Sequence, residues 1–208
     1  MLFTEFEKYI KDRRGALHVG AHVGKERMWY IEQGFTKVIW FEPNEELFSI
    51  LEYNIKGFVN HKAFNVGVHD TLKNAQLHIA SNKGQSSSIL ELGTHKIHHP
   101  KIHYLYNKNI DLIRMDDFFQ NTSNKIDDFN FLNIDVQGVE LNVIKSFGYL
   151  INKLDYIYTE VNEEHLYQEC CLIGEIDAYL KAFDFERVAT HMTQYKWGDA
   201  FYVKKNLL

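Results

Sequence analysis

The chain has 208 residues, 45% hydrophobic and 25% charged, enough for one α/β domain with a full core. A net charge of −5 without any Lys/Arg run argues against a large nucleic-acid footprint, so nucleic acid is not an expected partner. Cys170 and Cys171 are adjacent, which disfavours a disulfide, and no apolar segment reaches membrane-span length or forms a signal-peptide core; a reduced, cytoplasmic protein is expected.

The pattern predicts a helix over 4–13, a buried strand over 16–19, and a helix from about Lys25 to a stop at Gly34. A second buried strand, 37–41, ends at Glu42. Pro43 and Asn44 then start a helix whose apolar face is Leu47, Ile50, Leu51 and Ile55. Strands follow at about 59–66 and 75–80, then an irregular polar segment, 81–108, and a strand at 110–115. The strand 129–135 leads to a helix carrying Val139, Val143, Phe147 and Leu150. A strand at 156–161 precedes a helix with Ile173, Ile176, Leu180 and Phe183 in register. The chain closes with strands 185–192 and 200–204 around a turn at Trp197-Gly198-Asp199, an antiparallel hairpin at a sheet edge. Strand–helix alternation implies a mostly parallel sheet with helices on both faces. With no repeat, no low-complexity tract and prolines only at 43 and 100, a single domain over 1–208 is the economical reading.

Ligands of open α/β sheets sit beyond the carboxyl ends of the strands. Those ends carry His18 to Gly24, Glu42, Asn65 to Gly67, Asp135 to Gly138, and Glu160 to Asn162, with His165 just beyond. A strand, a turn at Gly20-Ala21-His22-Val23-Gly24, a helix, and a carboxylate 22 residues after Gly20 is the pattern of a nucleoside-cofactor site. The turn brings the main chain to the ligand and Glu42 accepts the ribose hydroxyls. The spacing Gly-x-x-x-Gly lacks the middle glycine of a pyrophosphate loop, which opposes NAD; such glycines also serve tight strand–helix packing. Asp135 reads either as a pocket residue near the reacting centre or, with Glu140, as a stabiliser of the following helix N-terminus. His95, His98, His99 and His103 offer no Cys and no rigid ligand spacing, so no metal is expected. Segment 81–108 reads as a substrate loop, with imidazoles and Tyr104 or Tyr106 on polar ligand groups.

These residues resemble the FkbM-type methyltransferases over about 15–204. The resemblance rests on Val19 to Gly24, Trp40-Phe41-Glu42-Pro43, Ser86-Ser87-Ser88, Met115-Asp116-Asp117, Phe131 to Glu140 and Thr159-Glu160-Val161. It implies a class I, Rossmann-like methyltransferase with a mostly parallel seven-stranded sheet and a C-terminal antiparallel hairpin. It also implies S-adenosylmethionine as cofactor and O-methylation of a sugar or glycan hydroxyl, less so of a polyketide. On that reading the cofactor contacts His18, Gly20, Ala21, His22, Gly24, Glu26, Glu42, Pro43, Asn65, Val66, Gly67, Ser87 and Asp135; the catalytic candidates are Asp135, Glu160 and His165. The chain departs from the family pattern twice. His18 stands where an acid commonly helps anchor the methionine ammonium, a role Glu26 could assume. Gln137 replaces the first Glu of Asp-x-Glu-Gly-x-Glu, which makes a divalent-metal site less expected. The competing readings are an NAD-dependent oxidoreductase and a non-catalytic cofactor- or glycan-binding module of the same fold.

Overall fold

A computed structural model describes residues 5–35 and 37–208. In chain order the elements are β1 (Ala16–Val19), α1 (Arg27–Glu32), β2 (Val38–Phe41), α2 (Glu45–Ile55), β3 (His61–Phe64), β4 (Gly67–Val68), β5 (Asn74–Ala80) and α3 (His95–His98). They continue with β6 (Tyr104–Ile113), α4 (Met115–Asn121), β7 (Phe131–Ile134), α5 (Glu140–Lys145), β8 (Tyr156–Asn162), α6 (Ile173–Lys181), β9 (Phe185–Met192) and β10 (Trp197–Lys204).

Seven strands form one sheet in the order β3-β2-β1-β7-β8-β10-β9, parallel up to β8 and closed by the antiparallel pairs β8–β10 and β10–β9. Strands β1, β2, β7 and β8 are buried along their whole length. That explains their mostly apolar sequences, interrupted only by His18, Asn133, Thr159, Glu160 and Asn162: both faces are covered, so no position alternates toward water. On one face Leu17, Val19, Ile39, Phe41, Leu132 and Ile134 pack with Val143 and Ile144 of α5 and Ile176 and Leu180 of α6. On the other, Ala16, Val38, Trp40 and Phe131 pack with Tyr30 of α1 and Leu51 and Ile55 of α2. Asn44 caps α2 by accepting the Glu46 N–H at 3.1 Å, and Glu45 and Glu46 occupy its positive end. A second sheet, β4-β6-β5, stands beside the carboxyl ends of the first.

Four expectations change. Of 4–13, Thr4 lies outside the described residues, and the rest holds only a 3₁₀ turn, Glu7–Tyr9. The irregular segment is shorter than expected, because β6 begins at Tyr104 and pairs with β5 along its length. The helix after Gly138 ends at Lys145; Gly148 then takes φ 51°, and Gly148–Lys153 continues as 3₁₀. Trp197, Gly198 and Asp199 lie inside β10, and the turn falls at 193–196, where Lys196 takes φ 65°. Gly198 is a strand glycine: a Cβ there would sit 2.0 Å from the His191 carbonyl oxygen of β9.

Candidate active site

The carboxyl ends of β1, β2, β7 and β8 open onto a cleft of about 410 Å³, walled on the far side by the second sheet and by loop 81–103. The turn after β1 is left-handed at Gly20 (φ 83°), His22 (φ 49°) and Gly24 (φ 69°). Gly20 cannot be replaced without movement, since a Cβ would lie 1.8 Å from the Asp135 carbonyl oxygen. The turn's own N–H groups are already engaged. Gly20 and Ala21 donate to the Phe41 carbonyl, Gly24 to Ala21, and His22 to Glu42. Such a turn has little left to offer a pyrophosphate.

Glu42 is 5% exposed. Its Oε2 accepts the His22 N–H at 2.7 Å and its Oε1 the Asn44 N–H at 2.8 Å. Burial pushes its carboxyl up to about 7, against the pull of those two backbone donors. The carboxylate is thus locked in position, and its remaining lone pairs are available to a ligand in the cleft.

His18 is buried between Trp40, stacked at 5.0 Å, and Tyr30. The Tyr30 hydroxyl accepts from Asn133 Nδ2 at 3.0 Å and lies 3.0 Å from His18 Nδ1, to which it donates. Burial holds the imidazole down at about 4 even beside Asp135, so it is neutral and carries its proton on Nε2. His18 therefore presents a donor to the cleft where an acid would present an acceptor.

At the ends of β7 and β8, Asp135 and Glu160 face one another. Asp135 is open to the cleft, while Glu160 is 6% exposed. Burial and the neighbouring carboxylates push Glu160 well above the ordinary range, and Asp135 is raised by its surroundings. Water in the cleft stabilises charge on Asp135 better than on Glu160, so the pair shares one proton held by Glu160. Gln137 bridges them: its Nε2 lies 2.6 Å from Asp135 Oδ1 and 2.5 Å from Glu160 Oε2, and its Oε1 accepts the Tyr167 hydroxyl at 2.5 Å. Gln137 holds φ 59° to do so. Glu140, not Asp135, ties down this loop, accepting the Gly138 N–H at 2.9 Å and the Val136 N–H at 3.3 Å. Asp135 has no capping role, which leaves it to the cleft.

Of the residues singled out from sequence, His18, Gly20, Ala21, His22, Glu26 and Glu42 line the cleft on the β1–β2 side. Pro43, Gly67, Ser87, Asp135 and Glu160 line it elsewhere. Gly24, Asn65, Val66 and His165 do not. Gly24 packs under α2, where a Cβ would meet Leu51 Cδ1 at 2.6 Å. Asn65 Nδ2 donates to the Glu42 and Pro43 carbonyls and so braces the turn. The His165 Nδ1 sits 3.0 Å from the Cys170 carbonyl, in the segment after β8. Of the 81–108 imidazoles and tyrosines expected at the ligand, His95 and His99 line the cleft and Tyr104 and Tyr106 do not; sequence reasoning missed Trp197 and Leu77, Ile110 and Leu112 of the second sheet. The period-two apolar patterns of β5 and of the end of β6 were the signal for the last group. Among the described residues no three His, Cys, Asp or Glu side chains are placed to hold a metal ion, and no helix is long and apolar enough to cross a membrane.

A sequence model of the methyltransferase FkbM domain matches residues 18–187. No curated protein matches the chain in sequence. Among solved structures, the ribosomal protein L11 methylase of Lactobacillus delbrueckii subsp. bulgaricus is similar at 12% identity and TM-score 0.54, over 97% of this chain and 75% of its own. A SAM-dependent methyltransferase from Aquifex aeolicus matches at 10% identity and TM-score 0.52, over 97% and 88%. The magnesium protoporphyrin IX methyltransferase of Synechocystis PCC 6803, with SAM bound, matches at 8% and 0.51, over 93% and 71%. At these identities the structures speak to the fold, which is that of the class I methyltransferases. The sequence match decides the family: the chain belongs to the FkbM methyltransferase domain family and is an S-adenosylmethionine-dependent methyltransferase.

Proposed function

We propose that the protein transfers the methyl group of S-adenosylmethionine to a hydroxyl of a sugar or glycan. The single observation that carries this is the pair Asp135–Glu160, bridged by Gln137, with Asp135 open to the cleft that Glu42, Gly20, Ala21 and His22 also line. The residues fit the cofactor. The cleft volume, about 410 Å³, lies in the range of small-molecule sites. Glu42 has lone pairs free for the two ribose hydroxyls, and Gly67, Val68 and Leu112 give the base an apolar floor. The turn and Glu26 border the methionine part, with Glu26 the acid available for the ammonium and the His18 Nε2–H a donor for an oxygen.

When bound, the cofactor supplies a sulfonium that makes its methyl group electrophilic and is its own leaving group. The protein's work is then alignment and proton removal. Asp135 accepts a hydrogen bond from the acceptor hydroxyl and takes its proton as the oxygen–carbon bond forms. Glu160, keeping its own proton, and Gln137 hold Asp135 in place. The cleft favours a neutral acceptor over a polyanion: Glu26, Glu42 and Asp135 line it, and among the described residues Lys25 is the one Lys or Arg that does, so nucleic-acid phosphates would meet repulsion rather than neutralisation.

The test is incubation with S-adenosylmethionine labelled in its methyl group and three acceptor pools: glycans and glycosides, total RNA, and protein extract. Mass spectrometry should locate the label on a sugar oxygen. Label confined to RNA or protein would overturn the sugar reading.

A further inference from the structure

Loop 81–103 is a fixed wall. The Ser81 N–H donates to the His103 carbonyl at 2.9 Å and closes its base. Its far end docks on the segment after β8: the Gly93 and His95 N–H groups donate to the Leu166 carbonyl at 2.7 and 3.1 Å. Contact is so close that a Cβ on Gly93 would lie 2.2 Å from the His165 carbonyl oxygen.

This wall presents His95, which lines the cleft and is 4% exposed. Its Nε2 lies 3.3 Å from Ser86 Oγ, and that oxygen already accepts Asn82 Nδ2 at 2.9 Å. Among the described residues the Ser86 hydroxyl has no other acceptor for its own proton, which assigns that proton to His95 Nε2. A neutral imidazole that accepts at Nε2 carries its proton on Nδ1, and burial, with His98 and His99 nearby, keeps the ring neutral at ordinary pH. Yet Nδ1 is buried with no hydrogen-bond partner among the described residues. A buried donor without an acceptor is costly and rare, and calls for a ligand.

The surroundings say which ligand. The Tyr167 ring lies 5.6 Å from His95, and its hydroxyl reaches Gln137, which in turn holds Asp135 and Glu160. The orphaned donor and the carboxyl pair thus belong to one stretch of the cleft. Trp197 and His99 line it too, and aromatic rings suit the C–H groups of a sugar. A phosphate would find one neutral donor here beside two carboxyls; a polyhydroxylated neutral ring would find a donor, an acceptor and a stacking surface.

We propose that His95 is a specificity-determining residue of the acceptor subsite, its Nδ1–H donating to one oxygen of a neutral sugar whose neighbouring hydroxyl lies at Asp135. This rests on the methyl-transfer reading above. The experiment uses the whole chain with ¹⁵N-labelled histidine, saturated with S-adenosylhomocysteine and titrated with methyl hexopyranosides of the gluco, manno and galacto series. The expected result has three parts. His95 shows the neutral Nδ1–H tautomer before sugar is added. Its signals move with at least one glycoside. His95→Phe weakens that glycoside by about tenfold while the Kd for S-adenosylhomocysteine stays within about twofold. An Nε2–H tautomer, glycoside binding unchanged in His95→Phe, no glycoside binding at all, or a matching loss of S-adenosylhomocysteine affinity would each overturn the proposal. The tautomer is read on the wild-type protein, so the test survives a variant that fails to fold. S-adenosylhomocysteine that does not bind the wild type would instead bring down the cofactor reading on which the proposal stands, an outcome visible before any sugar is added.

Discussion

Glu42 is poised between two charge states, and that makes it a reporter of ligand binding. Its carboxyl is raised to about 7 by burial, from an ordinary 4.5. In the unliganded protein such a group favours the fold less as pH rises: stability is lost from about 4.5 up through about 7, where the unfolded chain has already released its proton. Ribose hydroxyls donate more strongly to the ionised form and pull the value back down. Binding of S-adenosylhomocysteine should therefore release a proton near pH 6 and weaken on acidification, by at most about tenfold per pH unit. Calorimetry in two buffers of different ionisation heat measures this. Glu42→Gln should bind at least about tenfold more weakly and lose this part of the pH slope; an unchanged slope and proton count would remove Glu42 from the ribose. The carboxyl pair gives a second contrast. Asp135→Asn should leave S-adenosylhomocysteine affinity within a few-fold while lowering turnover by about 10²- to 10⁴-fold. Glu160→Gln keeps a neutral donor toward Asp135 and should cost far less, so equal losses in the two variants would contradict the assignment of the base to Asp135.

The turn after β1 shows how one element joins fold and site. Gly20 combines φ 83° with an approach that leaves a Cβ 1.8 Å from the Asp135 carbonyl oxygen. Gly20→Ala should lower unfolding stability by about 3 kcal/mol or more, measured by urea denaturation, and should weaken the cofactor with it, because β1 and β7 must part to admit the methyl group. A loss under about 1 kcal/mol would mean the turn relaxes easily. This turn was legible in sequence because its glycines, the buried strand before it and Glu42 after it are local. So was β2, whose uninterrupted apolar residues have no other use than burial on both faces, and so was β8, where Thr159, Glu160 and Asn162 break the apolar run only at its carboxyl end. Helix α4 was not. Met115 to Asn121 carries only a one-turn stripe, Met115, Phe118 and Phe119, and its start is fixed from afar: the Asp116 N–H donates to the Ser146 carbonyl at 3.0 Å. The acceptor side of the cleft was hidden for the same reason. Tyr167 and Ser86 are 81 positions apart, and only the folded chain brings them to His95. Nor could sequence tell that Glu140 takes the loop-stabilising role and frees Asp135; that division depends on which carboxylate points back at Val136 and Gly138.

At the scale of the molecule, the cleft lies between two sheets that also share core packing through Val68 and Ile113. Glu42 and the Gly20–Gly24 turn belong to the large sheet; Leu77, Ile110 and Leu112 belong to the small one. A ligand filling the cleft touches both and binds only the folded arrangement. Mass action then predicts about 2.7 kcal/mol of added stability at a ligand concentration a hundred times its Kd, a rise in Tm of roughly 5–11 °C for a chain of this size. S-adenosylhomocysteine should produce that shift in a thermal melt. NADH should not. The N–H groups of Gly20, Ala21, His22 and Gly24 are all spent inside the protein, on the carbonyls of Phe41 and Ala21 and on the carboxylate of Glu42. A dinucleotide would have to bury its pyrophosphate against a turn with few free donors, beside carboxylates and with Lys25 as the one lining cation. A melt in which NADH stabilises the protein and S-adenosylhomocysteine does not would require those N–H groups to be released, and with them the strand-to-strand contacts that hold Gly20 against Asp135.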